Sequence, residues 1–158
     1  MLARGEQARR TARVLALATP TALLGGAYIS QYGFGLYPCQ MCWWQRYAHF
    51  VALVLACLAL SRRNDALTWA AALAIGVGGL LGAFHAGVEY HWWEGVTACS
   101  STATLGGDPL EAIMNAPIVR CDVAPWDLLG ISLAGWNFLI SSAAALTIAV
   151  LLRRGRTA

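Results

Sequence analysis

Residues 37 to 63 read YPCQMCWWQRYAHFVALVLACLALSRR, and this stretch decides the fold. It opens on two cysteines in the pattern C-x-x-C, continues as an apolar run over residues 43–61, and ends on two arginines. An apolar run of about 20 residues is long enough to cross about 30 Å of hydrocarbon as a helix. The stretch therefore predicts a membrane span with a cysteine pair at one end and positive charge at the other.

Three further apolar runs, over residues 14–34, 66–90 and 131–152, have the length of a membrane span. Hydrophobic residues make up 58% of the 158 residues and charged residues 12%, whereas about 25% of the residues of a soluble domain are charged. We therefore expect an all-α membrane protein, a bundle of four transmembrane helices that forms a single membrane domain over residues 1–158. The connections are too short to contain a separate soluble domain.

The basic residues are all arginine, and they indicate the orientation of the bundle. Apart from Arg46 and Arg120, they cluster before the first span, between the second and third, and after the fourth. Such clusters mark the cytoplasmic side, so both termini should be cytoplasmic and the loops over residues 35–42 and 91–130 should face outward, which is the periplasm if the membrane is a bacterial inner membrane. A cleaved signal peptide is the alternative for the N-terminus, but no clear small-x-small cleavage site precedes the cysteine pair. The net charge of +3 follows from this topology and predicts no nucleic-acid partner.

Four of the five cysteines lie on the predicted periplasmic side, which is oxidising. Cys39 and Cys42 are in the first loop, and Cys99 and Cys121 are in the second. Cys57 lies in the middle of the second span, about 22 Å from Cys42 along a helix. We expect Cys57 to be a small buried hydrophobic residue, which leaves the other four cysteines for thiol chemistry.

The C-x-x-C pair favours redox chemistry over metal binding. A thioredoxin-like site needs a βαβ context that the sequence lacks, and a zinc site needs two further closely spaced ligands, although zinc shared by both loops stays an alternative. If the second helix begins near Met41, Cys42 lies in its first turn, where free backbone N–H groups stabilise a thiolate. Arg46 follows one turn later, so its guanidinium can approach the Cys42 sulfur or an anion bound beside it. The alternative for Arg46 is a side chain that extends to lipid phosphates.

The second loop presents Cys99 within TACSSTATLGG, a segment of small and hydroxyl residues that predicts an accessible arm. Asp108, Pro109 and Glu111 then resemble helix-start signals and predict a short interfacial helix, PLEAIMNA, over residues 109–116. One exposed cysteine and one pair at the membrane suit a relay of disulfide exchanges. Two structural disulfides that brace the loops are the alternative.

The arrangement resembles the DsbB family, the membrane oxidases that re-oxidise the periplasmic thiol oxidase DsbA and pass the electrons to quinone. The shared features are the four spans, C-x-x-C at the outer start of the second span, arginine four residues after Cys42, and a cysteine pair in the long outer loop. The stretch CDVAPWDLLG, residues 121–130, adds a cysteine five residues before Trp-Asp. The resemblance covers nearly the whole chain, and it implies a thiol:quinone oxidoreductase.

The resemblance also implies roles for particular residues. Cys99 would form the mixed disulfide with a DsbA-like partner, and Cys121 would be its pair and would then attack Cys39. Cys42 would be the thiolate that contacts the quinone ring, with ubiquinone or menaquinone as the cofactor. Arg46 and His85 would support quinone binding, with His91 as a nearby competitor for the histidine position. We expect a monomer that contacts lipid, quinone and its partner, and no bound metal.

Further polar and small residues lie within the predicted spans. His85 and Glu89 are four positions apart and are expected to pair on one helix face. His49 is expected to hydrogen-bond within the bundle, and the spacing of Gly78 and Gly82 predicts close helix packing. The quinone is expected between the second and third spans near the outer interface.

Two other families of function stay open from the sequence. Vitamin K epoxide reductase-like proteins share four spans and quinone-linked cysteines, but they carry their C-x-x-C late in the bundle. A non-catalytic four-span scaffold with braced loops is the second alternative. A metal or haem site at His85, Glu89 and His91 is less consistent, because positions 85 and 91 do not share a helix face.

Overall fold

The computed structural model describes residues 2–97, 100–101 and 118–157. Four long helices dominate it, and each is long and apolar enough to cross a membrane. This confirms the expected four-helix membrane bundle. The helices are α1 (Leu2–Phe34), α2 (Gln40–Arg62), α3 (Asp65–Glu89) and α4 (Leu133–Thr157). Helix α1 begins well before residue 14, because the arginine-bearing segment that precedes the apolar run is helical as well.

Two short antiparallel ladders accompany the helices. Strand β1 (Ser100–Ser101) pairs with β2 (Ile118–Val119), and β3 (Asp127–Leu128) pairs with β4 (Ile131–Ser132). The sequence did not predict these strands. The expected interfacial helix over residues 109–116 lies outside the described residues.

The connections between helices are short and end in well-defined caps. Gly35 follows α1 with a φ of +68°, a conformation that glycine adopts without a steric penalty. Arg63 takes a left-handed conformation after α2, and the Asn64 side chain then accepts from the Leu67 N–H to cap α3. Cys39 is the N-cap residue of α2. These caps satisfy helix-end N–H and C=O groups that would otherwise lack partners.

We call the two ends of the bundle the cysteine end and the arginine end. The cysteine end contains residues 34–42, 85–97 and 119–137, and the arginine end contains residues 3–16, 55–72 and 148–156. The arginine end is packed through small side chains, with Ala12, Ala56 and Ala71 all fully buried. Ion pairs reinforce it, since Arg13 contacts Asp65 at 2.9 Å and thereby joins α1 to the start of α3.

Glycines allow α3 to pack closely against α2 and α4, as their spacing predicted. A Cβ atom on Gly78 would lie 3.0 Å from the His49 ring, and one on Gly82 would lie 2.9 Å from the Ala134 carbonyl oxygen. The expectation for Cys57 was wrong, because its side chain is exposed on the outside of the bundle. The separation in sequence correctly predicted that Cys57 lies far from the other cysteines. It could not predict which face of α2 packs against the other helices.

Candidate thiol redox site

Cys39 and Cys42 lie at the start of α2 and share two hydrogen bonds. The Cys39 sulfur accepts from the Cys42 backbone N–H at 3.3 Å. The Cys39 thiol donates to the Cys42 sulfur, with the two Sγ atoms 2.9 Å apart. This second hydrogen bond, together with burial, raises the pKa of Cys39 to about 12. Cys39 therefore keeps its proton, and negative charge on the pair resides on Cys42, which lies in the first helical turn as expected.

Cys121 packs beside Cys39 in a buried cluster, against which Cys42 also packs. The Thr97 hydroxyl donates to the Cys121 sulfur at 3.3 Å. Burial raises the pKa of Cys121, and the hydrogen bond from Thr97 opposes that rise. The structure thus brings together three of the four predicted redox cysteines, and the fourth, Cys99, lies outside the described residues.

His85 is the histidine beside these thiols. Its Nε2 atom lies 3.5 Å from the Cys39 sulfur and 3.7 Å from Oε1 of Glu89. The expected pairing of His85 with Glu89 is therefore confirmed. His91 instead lies in the turn after α3, where its side chain is exposed.

Two buried amides fix the tautomer of His85. The Asn137 Nδ2 group donates to the Gly78 carbonyl at 3.0 Å and to Gln45 Oε1 at 2.7 Å. The Gln45 Nε2 group donates to the Met41 carbonyl at 3.2 Å and lies 2.9 Å from His85 Nδ1. Because a backbone carbonyl orients each amide, Nδ1 is the acceptor and Nε2 carries the proton of the neutral ring. The imidazole therefore presents an N–H to the neighbouring thiol.

A cavity of about 340 Å³ opens beside Cys42 at the cysteine end. It lies mainly between α1, α2 and α4, and not between the second and third spans, where the sequence analysis expected the quinone; the position of the quinone stays a prediction. His85 is not among the residues that line the cavity. The polar or ionisable side chains in its wall include Cys42, Gln45, Arg46, His49, Glu89 and Asn137.

Arg46 is buried and contacts α1 through its guanidinium group. It donates to Gln31 Oε1 at 2.6 Å and to the Ala27 carbonyl at 3.1 Å. The guanidinium carbon lies 4.8 Å from the centre of the Tyr28 ring and 5.0 Å from the centre of the Trp43 ring. The side chain is 6% exposed, so it does not extend to the lipid headgroups. Arg46 therefore provides a positive charge in the wall of the cavity.

Three ligand atoms at this site are close enough to share a metal ion. One atom each from Cys39, Cys42 and His85 lies within 4.8 Å of the other two. Structural zinc sites take four such ligands in a tetrahedral arrangement. The grouping among the described residues supplies three, and the same three groups form the hydrogen bonds of a thiol pair.

Gln31, Gln45 and Asn137 are site residues that the sequence analysis missed. Each is an uncharged polar residue inside a predicted apolar span. Polar groups within a membrane span generally face the bundle interior and find partners there. That signal was present in the sequence and would have identified all three.

The comparison with known proteins agrees with this arrangement. The family model for disulfide bond formation protein DsbB matches residues 9–151. Similar proteins include one from Acidovorax sp. (strain JS42), which is 33% identical and aligns over 93% of this chain and 88% of its own length. Another, from Polaromonas sp. (strain JS666 / ATCC BAA-500), is 32% identical over 92% of this chain and 91% of its own.

A third relative, from Verminephrobacter eiseniae (strain EF01-2), is 31% identical over 93% of this chain and 87% of its own length. All three relatives are named disulfide bond formation protein B. No solved structure is significantly similar to the chain. The family match and the full-length relatives, added to the cysteine arrangement, show that the chain belongs to the DsbB family of disulfide bond formation proteins.

Proposed function

We propose that this protein is a quinone-dependent thiol oxidase, which re-oxidises the dithiol of a DsbA-like periplasmic partner and passes two electrons to membrane quinone. The observation that carries the proposal is that Cys42 lines an apolar cavity while Cys39 packs with Cys121. The pair can thus exchange sulfur bonds on one side and contact a lipid-soluble acceptor on the other. Membership of the DsbB family supports this role over a vitamin K epoxide reductase-like protein or a scaffold.

The thiol chemistry begins at a disulfide between Cys99 and Cys121. A thiolate of the partner attacks Cys99, so that a mixed disulfide forms and Cys121 is released; the partner's second thiolate then attacks the mixed disulfide and frees Cys99. The partner leaves as a disulfide. Ser100 pairs with Val119, two residues before Cys121, and this ladder supports the proposed disulfide.

The second exchange transfers the electrons to the pair at α2. Cys121 attacks the sulfur of Cys39 in a Cys39–Cys42 disulfide, and the electron pair of the broken bond leaves on Cys42. Cys99 then attacks Cys121, which restores their disulfide and releases Cys39 as a thiol. The close packing of Cys121 with Cys39 supports this step. The N–H that His85 presents stabilises negative charge on the Cys39 sulfur as it leaves.

The cavity has the size and lining that a quinone head group needs. Its volume of about 340 Å³ falls in the range of ligand pockets, about 300–1,000 Å³. Leu23, Leu24 and Ile140 contribute to its apolar wall. When bound, ubiquinone or menaquinone would supply an acceptor for two electrons and two protons. Cys42 presents the reducing sulfur, and Arg46 contributes positive charge at the same wall.

We place the cysteine end at the periplasmic side and both termini in the cytoplasm. The arginine clusters at the opposite end support this orientation through the positive-inside rule. The orientation is also a requirement of the mechanism, because a periplasmic partner has to reach the outer loop.

The experiment that tests the proposal mixes the purified protein with a reduced DsbA-like partner and a soluble quinone. We expect one quinol for each partner disulfide formed, measured by quinone absorbance and by thiol alkylation. A partner that retains only its attacking cysteine should accumulate as a mixed disulfide with Cys99, because its thiolate opens the Cys99–Cys121 disulfide and no second thiolate releases it, whereas the Cys99→Ser variant should trap no partner. Partner oxidation without quinol, or trapping at Cys57, would contradict the proposal.

A further inference from the structure

Residues 126–130, WDLLG, have no role in the chemistry proposed so far. They lead into the β3–β4 hairpin, whose two short strands are joined by Leu129 and Gly130. Both joining residues have a positive φ, +56° for Leu129 and +75° for Gly130. Two-residue turns with positive φ at both positions prefer asparagine or aspartate before the glycine, because a bulky residue rarely adopts the left-handed conformation. The leucine at position 129 is therefore an outlier that the turn itself does not explain.

Packing within the protein does not explain this leucine either. Among the described residues, Leu129 is the most exposed of the large hydrophobic side chains, at 85%, and the preceding Leu128 is exposed as well. In water, such a tip would combine an unfavourable backbone conformation with exposed apolar surface. A contact outside the protein is needed to account for both properties.

The hairpin lies where α4 begins and therefore at one end of a membrane span. Strand β4 ends at Ser132, and α4 begins at Leu133 with no residue between them. Helix α4 is long and apolar enough to cross a membrane from Leu133 onward. The indole N–H of Trp136, in the first turn of α4, donates to the Leu128 carbonyl at 3.3 Å and holds the hairpin beside the helix. These contacts keep the hairpin at the level where the span meets the bilayer surface.

Tyr90, the residue after α3, fixes the hairpin through a second set of contacts. Its hydroxyl donates to the Gly130 carbonyl at 3.2 Å and accepts from the Ser132 N–H at 2.9 Å. The Tyr90 ring packs against the exposed ring of Trp92, with 5.4 Å between the ring centres. Tyrosine and tryptophan concentrate at the boundary between hydrocarbon and headgroups. The residues that hold and flank the hairpin are therefore those expected at a bilayer surface.

We propose that the tip of the β3–β4 hairpin, Leu128 and Leu129, inserts into the bilayer leaflet at the cysteine end, at the boundary between hydrocarbon and headgroups. Lipid is favoured over a protein partner, because the tip is continuous with a membrane span and residues 128–131 carry no charge. Burial of the Leu129 side chain in lipid offsets its unfavourable backbone conformation.

The proposal depends on the membrane-spanning fold and not on the quinone function. It also gives the hairpin a role in holding the redox site together. Cys121 precedes Trp126 by five residues, and its side chain packs beside Cys39. A hairpin anchored in the leaflet therefore restrains the segment that carries Cys121.

The first test places a photoreactive diazirine amino acid at position 129 of the otherwise unchanged protein. The protein is reconstituted in vesicles of phosphatidylethanolamine and phosphatidylglycerol, and a reduced DsbA-like partner is added before irradiation. Mass spectrometry should find phospholipid adducts at position 129. The matched control carries the same group at position 122, where the exposed Asp122 pairs with Arg120, and should give no lipid adduct above background. Adducts at position 129 with water alone or with the partner would overturn the proposal.

The second test is the Leu129→Asp variant. Aspartate adopts the left-handed conformation more readily than leucine, whereas its charge opposes insertion into a bilayer. In nanodiscs of the same lipids, amide hydrogen exchange over residues 127–132 should become about tenfold faster. Slower or unchanged exchange would show that the side chain faces water and would refute the insertion. The matched control, Val123→Asp, adds the same charge at an exposed position outside the hairpin and should change this exchange less than about twofold.

Discussion

The same four helices pack differently at the two ends of the bundle. At the arginine end, small side chains such as those of Ala12, Ala56 and Ala71 let the helix backbones approach closely. These alanines are fully buried. At the cysteine end, polar side chains and a cavity of about 340 Å³ separate the helices. The difference shows that small apolar side chains fill the arginine end, while the cysteine end holds reactive sulfur beside open space.

The largest expected effect on turnover is the difference between replacing Cys42 and replacing Cys57, which lie at different positions along α2. Cys42→Ser should reduce quinol formation to the uncatalysed background, because a hydroxyl at the cavity wall cannot form or break the disulfide. Cys57→Ser, on the exposed face of the same helix, should retain normal turnover. Both are measured with reduced partner and quinone. Turnover in Cys42→Ser close to that of the unmodified protein would refute the division of roles between the two levels.

Enlarging an alanine should have opposite consequences at the two ends. Ala56→Leu should lower the free energy of unfolding by about 1–3 kcal/mol, because its site is fully packed. Ala22→Leu adds the same atoms at an exposed position that lines the cavity, and it should change stability by less than about 0.5 kcal/mol while weakening quinone binding. Equilibrium unfolding in mixed detergent micelles gives both values. Equal destabilisation by the two substitutions would show that the cysteine end is as tightly packed as the other.

Arg46→Lys tests whether the geometry of the cation at the cysteine end matters. A lysine keeps the charge, but a single ammonium cannot replace the contacts that the guanidinium makes with Gln31, Ala27 and the two flanking aromatic rings. We expect an apparent quinone affinity about tenfold weaker, with the thiol exchange between the partner and Cys99 unchanged. Steady-state rates over a range of quinone concentrations measure this. An unaltered quinone dependence would remove Arg46 from the cavity's function.

The smallest effect is expected from Thr97→Val, which removes the hydroxyl that donates to Cys121. That hydrogen bond holds the pKa of Cys121 down against burial, so its loss should raise the pKa further and reduce the thiolate fraction at neutral pH. Single-turnover exchange from Cys121 to the Cys39–Cys42 disulfide should slow about fivefold at pH 7. The difference should disappear as the pH rises above the thiol pKa. A slowing that is independent of pH would indicate a displaced loop instead.

Much of the fold was predictable because membrane spans are specified by the length of apolar runs. The position of Cys42 was predictable for a related reason, since the C-x-x-C pair stands directly before such a run and so at a helix start. The pairing of His85 with Glu89 followed from their spacing on one helix, and the hydrogen bond of His49 within the bundle was also confirmed. These are local or periodic properties of the chain.

The cavity and the outward position of Cys57 could not be predicted in the same way. Both depend on which faces of the helices meet, and an apolar span is hydrophobic on every face because lipid and protein interiors are similarly apolar. The amides of Gln45 and Asn137 connect α2, α3 and α4 through contacts between residues far apart in sequence. Cys99 lies outside the described residues, so its assignment stays a prediction from the sequence.

The capping role of Cys39 has a practical consequence for any genetic dissection of this site. Its sulfur accepts from the Cys42 N–H and so completes the beginning of α2 as well as taking part in redox chemistry. Replacement by alanine would remove two properties at once and would confuse a defect in electron transfer with fraying of the helix. Replacement by serine retains an oxygen that caps helices well. Comparison of the alanine and serine variants therefore separates the contribution of this sulfur to the helix cap from its contribution to redox chemistry.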